Sequence, residues 1–171
     1  MPLVLFTDDS SRDWLDAARR LPRGSAVVIR SRDAKTRAAL LAQLSQVRGL
    51  KLLVADDPVL AEGADGLHLP QARAREATHW RARHPGWIIT ASAHSLRALL
   101  TLGPVDAVFL SPIFGTASHP GAPALGAVRA AFIAAASPAP VYALGGINSR
   151  NASLLAPAFA GIAAIVALSE G

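Results

Sequence analysis

Short apolar runs recur along this chain, each stopped by a polar or glycine-containing break. They cover residues 3–6, 26–29, 50–54, 67–69, 87–90, 107–110, 141–144 and 162–166. Runs this short, without apolar/polar alternation, are what strands buried on both faces require. Between them lie segments with helical spacing. Residues 13–21 place Trp14, Leu15, Ala18 and Leu21 on one face and stop before Pro22. Asp33 is a predicted N-cap for a helix carrying Ala34, Ala38, Leu41, Leu44 and Val47, closed by Gly49. Further helical stretches are predicted at 58–62, at 72–83 (ended by Pro85-Gly86), at 96–102 with Ser95 as cap, and at 125–136. A last one is predicted to end at Ala156, with Asn148 or Ser149 as cap.

Strand and helix therefore alternate with a period of roughly 20 residues, the pattern of a parallel α/β protein. Eight strands fit a (β/α)8 TIM barrel. An open doubly wound sheet is the alternative, but it usually has fewer strands. One domain over residues 1–171 is expected. The sequence stops at Gly171, directly after the eighth run, so the final helix is expected to be missing. The outer faces of strands eight and one are then expected to need cover from another subunit, making the chain a homo-oligomer.

Composition narrows the picture. Half the residues are hydrophobic (51%) and mean hydropathy is +0.33, which excludes a disordered chain. No apolar run approaches a membrane span. The N-terminus has no basic segment and reaches Asp8-Asp9 at once, so it does not read as a signal peptide. With no cysteine, disulfides, thiolate nucleophiles and thiolate metal sites are excluded. A cytoplasmic protein is expected. The net charge of +5 comes almost entirely from arginines scattered along polar helix faces. They form no run and no aromatic interleaving, so nucleic acid is not an expected partner and a small anion is.

On a barrel, the polar residues at the strands' carboxyl ends converge on one mouth. Here they are Thr7, Asp8 and Asp9; Arg30 and Arg32; Asp56 and Asp57; Gln71; Ser92 and His94; Ser111, Thr116, Ser118 and His119; and Gly145-Gly146. The segment 106–123 stands out, because an apolar strand runs straight into a loop of Gly, Pro, Ser and Thr. Gly145-Gly146-Ile147 ahead of a predicted helix reads as a phosphate cradle, with bare amides and a helix N-terminus facing an anion. Among the histidines, His94 suits general acid–base work. His68, inside a strand, reads as a packed, hydrogen-bonded residue, and His79 and His84 as surface residues. Asp8-Asp9 read as caps of the first helix, and Asp57 as the start of a short one. Trp14, Trp80 and Trp87 fall at core or interface spacings.

Four segments, Asp65-Gly66-Leu67-His68-Leu69, Ser92-Ala93-His94-Ser95, Leu110-Ser111-Pro112-Ile113-Phe114-Gly115-Thr116-Ala117-Ser118-His119-Pro120-Gly121 and Ala143-Leu144-Gly145-Gly146-Ile147, occur in an order that resembles the thiamine phosphate synthase/TenI family. The resemblance spans essentially the whole chain. It implies an enzyme that joins a pyrimidine diphosphate to thiazole phosphate with Mg²⁺-assisted loss of pyrophosphate. It further implies that Arg30 and Arg32 hold pyrophosphate, Asp56 binds metal and Ser92 contacts substrate. Thr116 and Ser118 would contact the thiazole phosphate, and Gly145, Gly146 and the backbone near Val166 would cradle its phosphate.

Four positions depart from the family pattern. Val28 replaces a pyrimidine-contacting Gln, and Ala55 an Asn beside the metal-binding Asp. Arg73 takes the place of a second metal-binding Asp, and His119 that of a loop Lys. Mg²⁺ wants oxygen ligands, which an arginine does not supply. The thiazole-phosphate half is therefore expected to be better kept than the pyrimidine and metal half. The Leu69-Pro70 pair looks more like the tautomerase branch of the family. Three activities remain open: a synthase-type transferase, a TenI-type thiazole phosphate tautomerase using His94 without metal, and a barrel that binds a phosphate ligand without chemistry.

Overall fold

The computed structural model describes residues 3–9, 13–115, 123–155 and 157–164. Eight parallel strands close into a barrel in sequence order: β1 (Leu3–Phe6), β2 (Ala26–Ile29), β3 (Lys51–Ala55), β4 (Gly66–Leu69), β5 (Ile88–Ala93), β6 (Ala107–Leu110), β7 (Val141–Leu144) and β8 (Gly161–Ala164). Closure is through β1, where Val4 sits opposite Ala26 on one side and Ala163 on the other. The helices are α1 (Trp14–Arg19), α2 (Ala34–Leu44), α3 (Pro58–Ala61), α4 (Ala77–Arg83), α5 (Leu96–Leu100) and α6 (Ala127–Ala135).

The strands read as unbroken apolar runs because both faces are buried. Inward residues of successive strands, among them Phe6, Val28, Leu53, Phe109 and Tyr142, fill the barrel. Outward residues such as Leu5, Val27, Ile29, Leu67 and Ile89 pack beneath Trp14, Leu41, Leu44 and Ala77 on the helices. Asp13, Asp33, Asp57 and Ser95 cap α1, α2, α3 and α5, each side chain accepting an amide proton three residues on.

Two aspartates outside the mouth lock the register. Asp65 accepts the Leu52 amide at 2.8 Å and pairs with Lys51. Asp106 accepts the Ile89 amide at 2.8 Å and pairs with Arg81. Each stands just ahead of its strand, at the rim opposite the mouth. Beside Asp65, Gly66 lets β4 approach β5. A Cβ there would meet the carbonyl oxygen of Ile88 and lie 2.7 Å from its backbone nitrogen and carbonyl carbon. Gly66→Ala should therefore lower the urea midpoint by the equivalent of about 3 kcal/mol or more. An unchanged midpoint would show that the strand pair gives way easily.

The structure corrects several sequence expectations. β5 continues through Ala91, Ser92 and Ala93, paired with Val108, Phe109 and Leu110 of β6. The ladder needs only backbone groups, so it outlasts the apolar run. The helix expected over 72–83 is a 3₁₀ segment, Gln71–Glu76, followed by α4. The 3₁₀ geometry eclipses residues three apart and so brings Arg73 onto Glu76. The helix expected to end at Ala156 shortens to a 3₁₀ turn, Ala152–Leu154. There Asn148 and Asn151 spend their side chains on nearby backbone groups instead of a helix. In α2, Leu41 and Leu44 are buried while Ala34 and Ala38 face solvent.

On the outer faces of β1 and β8, Leu5 and Ala164 are buried while Leu3 and Ile162 are half-buried. The large apolar side chains left in solvent include Leu96 and Leu100 on α5 and Val128 and Phe132 on α6.

Candidate active site

Strand periodicity builds the mouth. Alternate residues of β5 point inward, so Thr90, Ser92 and His94 climb one inner wall from full burial to exposure. Across from them, His68 of β4 lies between Thr90 and Ser92: its Nδ1 is 3.0 Å from the Thr90 hydroxyl and its Nε2 3.0 Å from that of Ser92. The rings of Phe6 and Phe109 meet its imidazole edge-on at 5.3 and 5.4 Å.

Burial in this apolar setting, with the Arg30 charge adding to it, pushes the His68 pKa down to about 3. The ring is neutral, so one nitrogen donates and the other accepts, and Ser92 is held by a group that stays uncharged. The unfolded chain takes up this proton below pH 6.5, whereas the folded one does so only near pH 3. Stability is thus undiminished above pH 6.5 and falls as pH drops toward 3, by up to roughly 1.4 kcal/mol per pH unit. The carboxylates of Asp57 and Glu76, held below their usual range by hydrogen bonds to the Leu60 amide and to Arg73 respectively, add their loss only at the acid end. Urea midpoints between pH 6.5 and 4.5 should slope in the parent chain and flatten in His68→Gln. Equal slopes would contradict the assignment.

At the top of the wall, His94 is oriented from three sides. Its amide donates to Oε1 of Gln71 at 2.8 Å. Its Nδ1 lies 2.8 Å from the Ser111 carbonyl oxygen and 3.2 Å from the Ser111 hydroxyl. A carbonyl only accepts, so Nδ1 carries the proton, and Nε2 of the neutral ring is left with its lone pair.

The positive side of the mouth starts at β2. The buried Thr7 hydroxyl accepts the Arg30 amide at 2.8 Å and donates to the Arg30 carbonyl at 3.0 Å, fixing where β2 ends. Arg30 and Arg32 are exposed beyond it. Asp9 accepts the Arg32 amide at 3.2 Å, and its carboxyl is held below the ordinary range chiefly by Ser31, with Arg32 and Arg30 adding to the effect. Asp9 thus ties the end of β1 to the turn after β2, while Asp13 caps α1.

Gly145 and Gly146 follow β7 with φ of 94° and 66°, a left-handed turn that glycine adopts without steric cost. The turn packs on the start of the loop after β6. The Phe114 amide donates to the Gly145 carbonyl at 3.1 Å and the Ile113 amide to that of Leu144 at 3.0 Å. Asn151 Nδ2 holds the Gly146 carbonyl at 2.8 Å. The Gly146 and Ile147 amides have no protein acceptor among the described residues. The following 3₁₀ turn has only three residues, so the expected contribution of a helix dipole is absent. Thr116, Ser118, His119 and Val166 lie outside the described residues.

Asp56, the only non-glycine among the described residues with positive φ (58°), ends β3. Its carboxylate pairs with Nη1 of Arg73. The other edge of that guanidinium meets Glu76, Nε to Oε1 at 2.8 Å and Nη2 to Oε2 at 2.7 Å. Trp80 Nε1 supports Glu76 at 3.2 Å. Asp57, next to Asp56, caps α3 and pairs with Arg37 at 3.0 Å, so its role is structural.

The sequence profile of a family described as thiamine monophosphate synthase matches residues 3–169. The chain belongs to the thiamine monophosphate synthase family. It is 33% identical to the thiamine-phosphate synthase of Methanoculleus marisnigri, over 97% of this chain and 86% of that one. It is 31% identical to that of Chlorobium luteolum, over 99% and 86%. The fold matches that of thiamine phosphate pyrophosphorylase from Pyrococcus furiosus with a TM-score of 0.75 at 23% identity, covering 96% of this chain and 85% of that one.

Against the Mg²⁺ that the family resemblance implies, the donor set fails. Among the described residues no three His, Cys, Asp or Glu side chains gather to hold a metal. The carboxylate of Asp56 is taken by a guanidinium. Val28 and Ala55, in place of the expected polar residues, are buried in the barrel interior. The mouth does bring together Ser92, His94 and Ser111, with Arg30 near enough to act on His68. The part played by Thr90 was not evident among the candidate residues, although polar residues at 90, 92 and 94, each one strand period apart, carry the signal.

Proposed function

We propose that this chain is a thiamine-biosynthesis enzyme whose mouth retains the thiazole-phosphate half of the family site and has lost the pyrimidine and metal half. The reaction that the geometry supports best is a metal-independent proton shift on a thiazole phosphate. The observation that carries it is the His94 imidazole, whose Nδ1–H is committed to the Ser111 carbonyl so that Nε2 remains as base. Nε2 takes a proton from one position of the ring system, and the imidazolium returns one at another. The overall proton count is unchanged, as tautomerisation demands.

In this reading the Gly146 and Ile147 amides grip the phosphate, with Gly145 shaping the turn, and Thr116, Ser118, His119 and the backbone at Val166 complete the cradle. Ser92, held by His68, orients the ring. Arg30 and Arg32 supply the positive field that draws the anion in. The chain acts in the cytoplasm as a single-domain subunit of a homo-oligomer; the exposed Leu100, Val128 and Phe132 support assembly. No helix among the described residues is long and apolar enough to cross a membrane.

A second reading, the coupling of pyrimidine diphosphate to thiazole phosphate with release of pyrophosphate, is favoured by the names of the relatives. Two assays on the purified chain separate the readings: isomerisation of thiazole carboxylate phosphate followed by NMR in chelator, and pyrophosphate release from both substrates with Mg²⁺. Isomerisation in chelator is expected. Mg²⁺-dependent pyrophosphate release without it would establish the second reading. Neither activity, with melting raised by thiazole phosphate, would leave a ligand-binding barrel.

A further inference from the structure

We propose that the Arg73 guanidinium is the resident cation of this mouth, standing in for a divalent metal, and that Asp56 is a positioning residue for Arg73 rather than a metal ligand. The inference concerns the cation alone and holds whatever the substrate is.

Three observations support it. First, Arg73 is fixed: Nη1 is held by Asp56, and Nε and Nη2 by the two oxygens of Glu76, which Trp80 steadies in turn. Second, the two carboxylates hold the Arg73 pKa above the ordinary arginine value, so the charge is permanent at any working pH. Third, the charge balances. Replacing a carboxylate by a guanidinium adds about two units of positive charge, as one divalent ion would. With a carboxylate at position 73, Asp56 and Glu76 would join it in a strongly negative cluster needing a hard cation. With arginine there, the cluster carries one net negative charge, the same as three carboxylates holding one divalent ion would. The 3₁₀ form of the segment after β4 serves this arrangement, since spacing by three places Arg73 and Glu76 side by side. A metal entering at Asp56 would have to displace a hydrogen-bonded guanidinium and accept a single protein carboxylate, both unfavourable for an ion that seeks several oxygens.

The test is a Mn²⁺ titration of the whole chain, read by loss of the free-ion EPR signal. The parent chain should leave Mn²⁺ free at micromolar concentrations. Arg73→Asp should take up one ion, at least about tenfold tighter than the parent, and Asp56→Asn in that background should abolish it. Arg73→Asn, which frees Asp56 without adding a carboxylate, serves if the aspartate variant fails to fold. One Mn²⁺ bound by the parent chain and lost in Asp56→Asn would overturn the proposal. So would folded Arg73→Asp and Arg73→Asn chains that bind no tighter than the parent. Should neither variant fold, the parent and Asp56→Asn titrations still decide.

Discussion

His94→Ala is expected to reduce turnover of a thiazole carboxylate phosphate by about 10²–10⁴-fold, the usual contribution of one positioned acid–base group. KM should hardly change, because in the proposed reading the phosphate is gripped by the turn after β7 and not by this imidazole. The imidazole is exposed and its ring bonds go to Ser111, so the variant should fold and melt like the parent. His94→Gln should be as inactive as the alanine variant, since an amide can hydrogen-bond to Ser111 but cannot carry a proton between two positions. Full activity in either variant would remove His94 from the chemistry and leave the mouth as a binding site.

Gly146→Ala is the second large effect. A Cβ there would lie 2.8 Å from the Phe114 carbonyl oxygen and 2.9 Å from its carbonyl carbon, and would also press on the Gly115 oxygen. Positive φ adds a cost of about 1–2 kcal/mol for any L side chain. Together these should remove roughly 2–4 kcal/mol of stability and weaken phosphate binding about a hundredfold or more through displaced amides. Gly49→Ala is the control. Its φ of 88° is also positive, but the added carbon would come no nearer than 3.4 Å, to the flexible Arg23 side chain, and the residue lies ahead of β3, away from the mouth. It should lose only the conformational part and keep its affinity for phosphate. If both variants behave alike, the close approach of the turn to residues 114–115 has no consequence for the site.

These two residues also show how far the sequence could be read. The barrel was legible because burial on both faces writes strands as apolar runs; four of the eight strands have the bounds that those runs imply. The Gly-Gly turn was legible as a tight glycine turn after a strand, but its company was not. Whether a helix follows depends on Asn148 and Asn151 choosing backbone partners close by, a competition that spacing does not resolve. The tautomer of His94 depends on a carbonyl 17 positions away in the sequence, which only the closed barrel brings within reach. Arg73 was legible as a change of charge, whereas its fixation between Asp56 and Glu76 comes from the 3₁₀ turn that the helical spacing of 72–83 concealed. Asp65, read within a family motif, proved to be a strand clamp remote from the mouth.

The most direct measurement is a crystal structure of the chain grown with thiazole phosphate in the presence of chelator. The phosphate should sit on the turn after β7, its oxygens about 2.7–3.1 Å from the Gly146 and Ile147 amides, with His94 Nε2 facing the ring. A phosphate bound elsewhere, or a turn left bare while the ligand binds only when Mg²⁺ is restored, would contradict the account.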